Sequence, residues 1–141
     1  MAQTGSIIKA IHRNTALSSV MKKDLVDPNN TRRYYYNYNW QVLCEYDGQG
    51  NFKRWFAYGN YIDEVLFMNI GSLAITSRFY VQDHLYSPAA LVFASGSVAE
   101  RYEYNAYGNC YIMDASYNTR ATSQYDNPYY FTGRRLDFLD A

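Results

Sequence analysis

An acid, a base and a hydroxyl within five positions can make a hydrolytic triad. Asp83-His84-Leu85-Tyr86-Ser87 supplies all three. That chemistry needs a nucleophile beside a base, and an acid that orients the base. His12 and His84 are the only histidines in the 141 residues. A strand pattern ends at Asp83-His84, so the pair reads as a turn. Zinc would need clustered ligands, but the two His and two Cys are scattered without CxxC or HxxxH spacing. Asp137 and Asp140 could pair as carboxylates, yet at an acidic tail they read as solvated charges. Gly48-x-Gly50 is followed by no helix pattern and is no phosphate cradle. Arg32-Arg33-Tyr34-Tyr35-Tyr36 mixes basic and stacking groups as nucleic-acid platforms do. The formal net charge is zero, which favours a sheet surface over nucleic acid. No catalytic, cofactor or metal site is predicted. Tyr-rich faces that could stack sugars are the remaining chemistry.

The elements that carry these residues read as strands and turns. Val98 to Asn109 is the clearest stretch. Val98, Tyr102 and Tyr104 point one way; Arg101, Glu103 and Asn105 point the other. Gly108-Asn109 then turns the chain, as Gly and Asn accept φ > 0 most cheaply. The unit recurs loosely at Tyr46-Asp47-Gly48-Gln49-Gly50-Asn51 and at Tyr58-Gly59-Asn60. Strands are predicted over 33–39, 40–46, 52–58, 61–69, 73–82, 89–94, 98–105 and 110–114. Trp40, Val42, Cys44 and Tyr46 are expected on one face, with Gln41, Leu43 and Glu45 opposite. A final strand is expected at Tyr129-Tyr130-Phe131. Short turns between such strands predict an antiparallel meander.

Residues 1–30 differ. They hold no Tyr, and Ile7, Ile8, Ile11, Leu17, Val20 and Met21 sit at roughly helical spacing. A short helix or irregular arm stands beside a first strand over 6–12 as the alternative. The expected organisation is an N-terminal arm or linker, 1–30, and an all-β domain, 31–141.

Composition narrows the class. The 17 Tyr suit broad, half-wet sheet surfaces better than a dry core. No run of 18 apolar residues is present to span a membrane, and the N-terminus lacks a secretory apolar region. Cys44 and Cys110 read as buried thiols, or as a disulfide if the chain is secreted.

These residues resemble the YD-repeat, or Rhs, family. Tyr46 to Asn51 is similar to its tyrosine-aspartate repeat. Tyr34-Tyr35-Tyr36-Asn37 with Trp40-Gln41-Val42-Leu43, then Tyr61-Ile62-Asp63-Glu64, Tyr80-Val81-Gln82-Asp83, Val98 to Asn109 and Tyr130-Phe131-Thr132-Gly133-Arg134-Arg135-Leu136-Asp137 follow the order of the Rhs-associated core. The match covers most of 31–137. It implies a curled antiparallel sheet, which large members wind into a hollow shell around a toxic domain or use for surface adhesion. It also implies that the Asp-His pair belongs to a structural turn. Two departures stand out. Leu85-Tyr86-Ser87 replaces the family's Leu-Gly-Ser. The Tyr- and Arg-rich block that carries the aspartates of self-cleavage does not follow Asp137, so neither self-cleavage nor a following toxin domain is expected.

An unclosed sheet leaves rows of unpaired backbone groups that attract further strands. The expectation is therefore a non-enzymatic structural subunit. It would assemble with copies of itself into an extracellular or cell-surface filament, tube or shell. A fragment of a larger toxin-enclosing or adhesive Rhs protein is the alternative, and a module that binds cell-surface glycans is a third.

Overall fold

A computed structural model describes residues 7–14, 17–23, 31–71 and 76–136, the first two ranges by their backbone alone. The strands are β1 Ile7–Asn14, β2 Leu17–Lys23, β3 Arg32–Tyr36, β4 Val42–Asp47, β5 Phe52–Tyr58, β6 Val65–Ile70, β7 Ser77–Gln82, β8 Pro88–Val92, β9 Val98–Tyr104, β10 Cys110–Met113 and β11 Thr119–Arg120. Each pairs with the next in an antiparallel ladder, so the sheet runs in sequence order from β1 to β11. The first and last strands do not pair with each other, and the sheet is open. Among the described residues there is no α-helix.

One turn closes most of the hairpins. At 37–41, 47–51, 83–87, 93–97, 105–109, 114–118 and 130–134 the first residue's N–H donates to the carbonyl of the fifth. The fourth residue's N–H donates back to the carbonyl of the first. This three-residue loop needs a left-handed fourth residue. Gly50, Gly96, Gly108 and Gly133 fill that place with φ between 69° and 88°. Trp40, Tyr86 and Tyr117 fill it elsewhere with φ of 63°, 62° and 66°. The first residue is Asn37, Asp47, Asp83, Asn105 or Asp114 in five of these turns. There its Oδ1 accepts the N–H groups of the third and fifth residues at 2.8–3.1 Å. A short side-chain acceptor two residues upstream is the usual way an Asx turn holds its backbone.

Five bulges follow the turns in a fixed place, and a further irregularity lies within the β1–β2 ladder between Lys9 and His12. Leu43, Lys53, Leu66, Ala89 and Ala99, each the second residue of its strand, are skipped in the pairing with the preceding strand. A bulge bends its strand and adds twist. Repeated at the same place, it curls the whole sheet. It also exchanges faces along the strand. The even alternation expected through β4 is therefore corrected. Trp40 lies in the turn, and Val42 and Glu45 are both buried. Tyr46 turns the other way, its ring 5.5 Å from those of Tyr35 and Phe52.

Other boundaries move for local reasons. Residues 61–64 are loop rather than strand, because Gly59 N–H bonds the Glu64 carbonyl at 2.8 Å and closes the hairpin there. Of the expected strand over 73–82, residues 73–75 lie outside the described residues, and β7 covers 77–82. The N-terminal residues form strands rather than a helix. β2 pairs along the whole of β3, so the open edge of β3 outweighs the helical spacing. The strand expected at Tyr129 is instead a single bridge to Arg135. A tight 3-10 turn, Phe131–Gly133, lies between them.

The core forms where residues 121–136 fold back over one face of the sheet. Tyr129 packs edge-on against Phe56 at 5.2 Å and against Tyr58 and Tyr80 at 6.3 Å. Tyr130 meets Tyr102 at 5.7 Å. Val42, Val65, Met68 and Leu91 complete the buried cluster from the sheet.

The turns make stability depend on pH. Amide donation from Asn51 and Asn118 holds the Asp47 and Asp114 carboxyls below their ordinary value. Depressed folded values give stability that is present above the unfolded pKa, near 3.9, and lost as pH falls through the folded ones. The melting temperature should fall between about pH 5 and about pH 2. Asp47→Asn combined with Asp114→Asn should flatten that fall, as read by circular dichroism melts.

Candidate functional site

Two buried carboxylates tie the returning segment to the sheet. Glu45, on β4, is 1% exposed. It lies 3.2 Å from Arg54 Nε of β5 and 2.5 Å from Arg135 Nη2 of the returning segment. The Arg135 guanidinium also covers the Tyr34 ring at 4.7 Å. Glu100, on β9, is fully buried. It accepts the Tyr102 and Ser123 hydroxyls at 2.5 Å, the Gln124 N–H at 2.9 Å and Arg120 Nη1 at 3.2 Å. A third anchor is cationic: the Arg78 guanidinium lies between the rings of Phe93 and Tyr125, 4.3 and 4.5 Å from their centroids. Arg54 Nη1 donates to the Asp126 carbonyl, and Tyr80 donates to Asn127 Oδ1 at 2.7 Å.

These groups are engaged by partners, not poised for reaction. Burial pushes the hydroxyls of Tyr58, Tyr80 and Tyr102 far above their ordinary value, so they act as neutral donors. For Tyr102 the neighbouring Glu100 adds to the effect. Burial also raises the Cys44 thiol and takes Cys110 up to about 11. Neither is a ready nucleophile at neutral pH. Both are free, half-buried thiols. Asp83 Oδ1 is occupied by the N–H groups of Leu85 and Ser87, and Ser87 Oγ accepts the Thr132 N–H at 3.0 Å. Ser87 is fully buried while His84 is exposed, so these three do not assemble as a triad. Asp137 and Asp140 lie outside the described residues. Among the described residues no group of three metal-ligating side chains comes together.

The residues singled out from sequence fall in three places. Tyr46, Asp47, Gly48, Gly50 and Asn51 build the β4–β5 turn, where Asn51 Nδ2 donates to Asp47 Oδ2 at 2.9 Å. Tyr58, Tyr102 and Tyr104 stand on the covered face. There Tyr58 donates to the Val42 carbonyl and Tyr104 to the Pro88 carbonyl, both at 2.9 Å. Gly59, Asn60, Gly108, Asn109, Gly133 and Arg134 lie along one rim. A Cβ on Gly133 would sit 2.4 Å from the Asp63 carbonyl oxygen, so that close approach requires glycine. Arg134 reaches Asp63 at 3.6 Å, and Arg135 is the Glu45 partner. Glu45, Glu100 and Ser123 were not foreseen. Only an Asp/Asn-x-x-Gly/aromatic spacing in the turns was available as a further signal.

The two rims differ in chemistry. Antiparallel order puts the β3–β4, β5–β6, β7–β8 and β9–β10 connections on one rim and the intervening ones on the other. The first rim carries Tyr38, Trp40 and Tyr107, which are 88%, 63% and 91% exposed. Tyr61 and Tyr86 stack across it at 4.6 Å and 18°. Two cavities open there, on either side of the 131–133 turn. One, of ≈ 320 Å³, is lined by Trp40, Ile62, Asp63 and Arg134 among others. The other, of ≈ 430 Å³, is lined by Asp83, Glu103, Asn105 and Phe131 among others. The opposite rim presents Gly48-Gln49-Gly50 and Ala94-Ser95-Gly96, with Tyr117 as its exposed ring.

Removing one partner of a buried ion pair leaves the other charge uncompensated. Glu45→Ala should therefore destabilise the chain by about 3 kcal/mol or more, measured by urea denaturation. Limited proteolysis should then cut first within 121–136.

No family model, curated protein or solved structure matches the chain.

Proposed function

We propose that this is a non-enzymatic structural protein of the YD-repeat kind. In this reading it is a sheet subunit completed by copies of itself, in an extracellular filament, tube or shell. The observation that carries the reading is the open sheet. β11 pairs with only Ile112 and Met113 of β10. The Cys110 and Tyr111 end of that edge has no strand beyond it among the described residues. Such a border is a template for a further strand. The recurring turn, headed by Asp or Asn and often preceded by Tyr, supports the likeness to tyrosine-aspartate repeats. The saturated carboxylates and raised hydroxyls and thiols favour a structural role over catalysis.

A second reading draws on the strict sequence order of the strands. The same two borders suit a repeat array that continues within a larger toxin-enclosing or adhesive polypeptide. In either case the partner at the border is another stretch of the same kind of sheet.

Negative-stain images of purified protein, with light scattering across a concentration series, test the first reading. Rods, tubes or closed shells are expected, with mass rising with concentration. Dispersed monomers at high concentration would overturn it. Tyr111→Lys places a charged side chain at the exposed edge, one of the ways a sheet border is blunted against further strands. It should lower assembly while leaving the circular dichroism spectrum unchanged.

A further inference from the structure

We infer that the face of the sheet opposite the returning segment is a contact surface for a second copy of this chain, packed face to face about a two-fold axis. The contact uses the face and needs no unpaired strand, so it stands whether or not the borders are extended. Three observations converge on it.

The first is what the face carries. The ladders set Ala57, Phe67, Phe79, Val92 and Val98 in one side-chain row across β5 to β9. Tyr35, Cys44 and Trp55 form the neighbouring row across β3 to β5. The Phe67 ring joins the two rows, 4.7 Å from Trp55 and 5.7 Å from Phe79. The alternate residues Phe56, Met68 and Tyr80 point the other way, into the core under Tyr129. The second row continues through Asn69 and Ser77, and these bond each other at 2.9 Å. A wet antiparallel face normally carries polar side chains instead. Trp55, Phe79 and Val81 remain 39%, 40% and 48% exposed. Apolar groups scattered singly need no explanation, but a contiguous patch marks an interface.

The second is extent. From β3 to β9 the face spans six interstrand spacings, about 29 Å, and a six-residue strand is about 20 Å long. That is about 600 Å² for one copy, the size at which stable interfaces begin.

The third is charge. Arg33, on β3, stands three strands and two side-chain rows from Phe67. Glu103, on β9, stands three strands and two rows from it in the opposite sense. Each displacement is about 14 Å along both directions. A two-fold axis lying diagonally in the contact plane at Phe67 therefore sets Arg33 of each copy against Glu103 of the other. The face is self-complementary, as an isologous contact must be. The strands of the two copies then cross at near right angles, one of the two ways that sheets pack. Aromatic groups lie at the centre and charges at the rim, as in other protein interfaces. An anionic lipid surface would match Arg33 but repel Glu103, so it is the weaker occupant.

Sedimentation equilibrium of the full chain tests the contact, with circular dichroism melts to follow folding. Tyr111→Lys, on β10 and outside the footprint, blocks the border, and its mass should stop at the dimer. In that background Phe79→Lys and Val81→Lys should each weaken pairing at least tenfold and give monomers. Arg33→Glu or Glu103→Arg alone should also weaken it, and the two together should restore the dimer. If Phe79→Lys fails to fold, Val81→Lys and the charge reversal decide the matter. The inference is overturned if Tyr111→Lys is a monomer, if the folded lysine variants of the face remain dimers, or if the double reversal does not restore pairing. An unmodified chain that never exceeds the dimer would instead count against growth at the border and leave the face contact standing. Failure of one reading is thereby distinguishable from failure of the other.

Discussion

A single β-sheet has two faces and can leave only one of them wet. The rest of this structure depends on how the other is covered. Residues 121–136 supply the second layer, and it is a thin one, without a helix or a second sheet. A layer so narrow buries too few apolar atoms to hold by the hydrophobic effect alone. Charge-assisted contacts at Glu45 and Glu100, and ring contacts at Tyr129 and Tyr130, fix it in place. The abundance of Tyr follows from the same constraint. A Tyr ring fills the narrow interior while its hydroxyl meets a carbonyl, as Tyr58 and Tyr104 do.

The curl has a local origin. Five strands, β4, β5, β6, β8 and β9, take an extra residue at the second position, right after the turn, whereas the irregularity of β1 lies in mid-strand between Lys9 and His12. Bends at equivalent places accumulate, where bends at random places would cancel. Turn chemistry and curvature are thus linked, because the loop that ends one strand also sets the defect in the next. The curl brings the rim connections close enough for Tyr61 to stack on Tyr86 and for the 131–133 turn to reach Gly108 and Asp63.

Much of this was legible in the residues. The alternation of β9 from Arg101 onward and the Gly-Asn turns placed the meander, although the bulge at Ala99 puts Val98 on the face opposite Tyr102 rather than beside it, and Phe52 to Tyr58 read as the strand it is. What failed to show has physical reasons. Period-two reasoning assumes an unbroken pleat, and Leu43 breaks it, which sends Glu45 inward where a charge would be expected outward. The returning segment has no periodicity, because it is held by individual contacts rather than by a ladder. Its partners, such as Glu100 with Ser123, are far apart in sequence and carry no local signature. The helical spacing of the first residues lost to the pairing edge of β3. Of the candidate rim, the glycines were visible, but the aromatic residues in left-handed positions were not. Sequence reasoning assigns those positions to Gly or Asn.

The returning segment also acts as a ruler. It is anchored at Glu100 on β9 and at Glu45 on β4, five strands apart. At about 4.8 Å per strand that distance is about 24 Å. The 13 residues from Ser123 to Arg135 could reach about 43 Å if stretched. The slack is taken up by the detour through the 131–133 turn. Duplicating one hairpin between the anchors would add about 10 Å, which unfolding the detour could absorb. Duplicating several would outrun the tether. The array can therefore grow freely only outside its two anchor points, and copy number between them is capped by the length of one short stretch of chain.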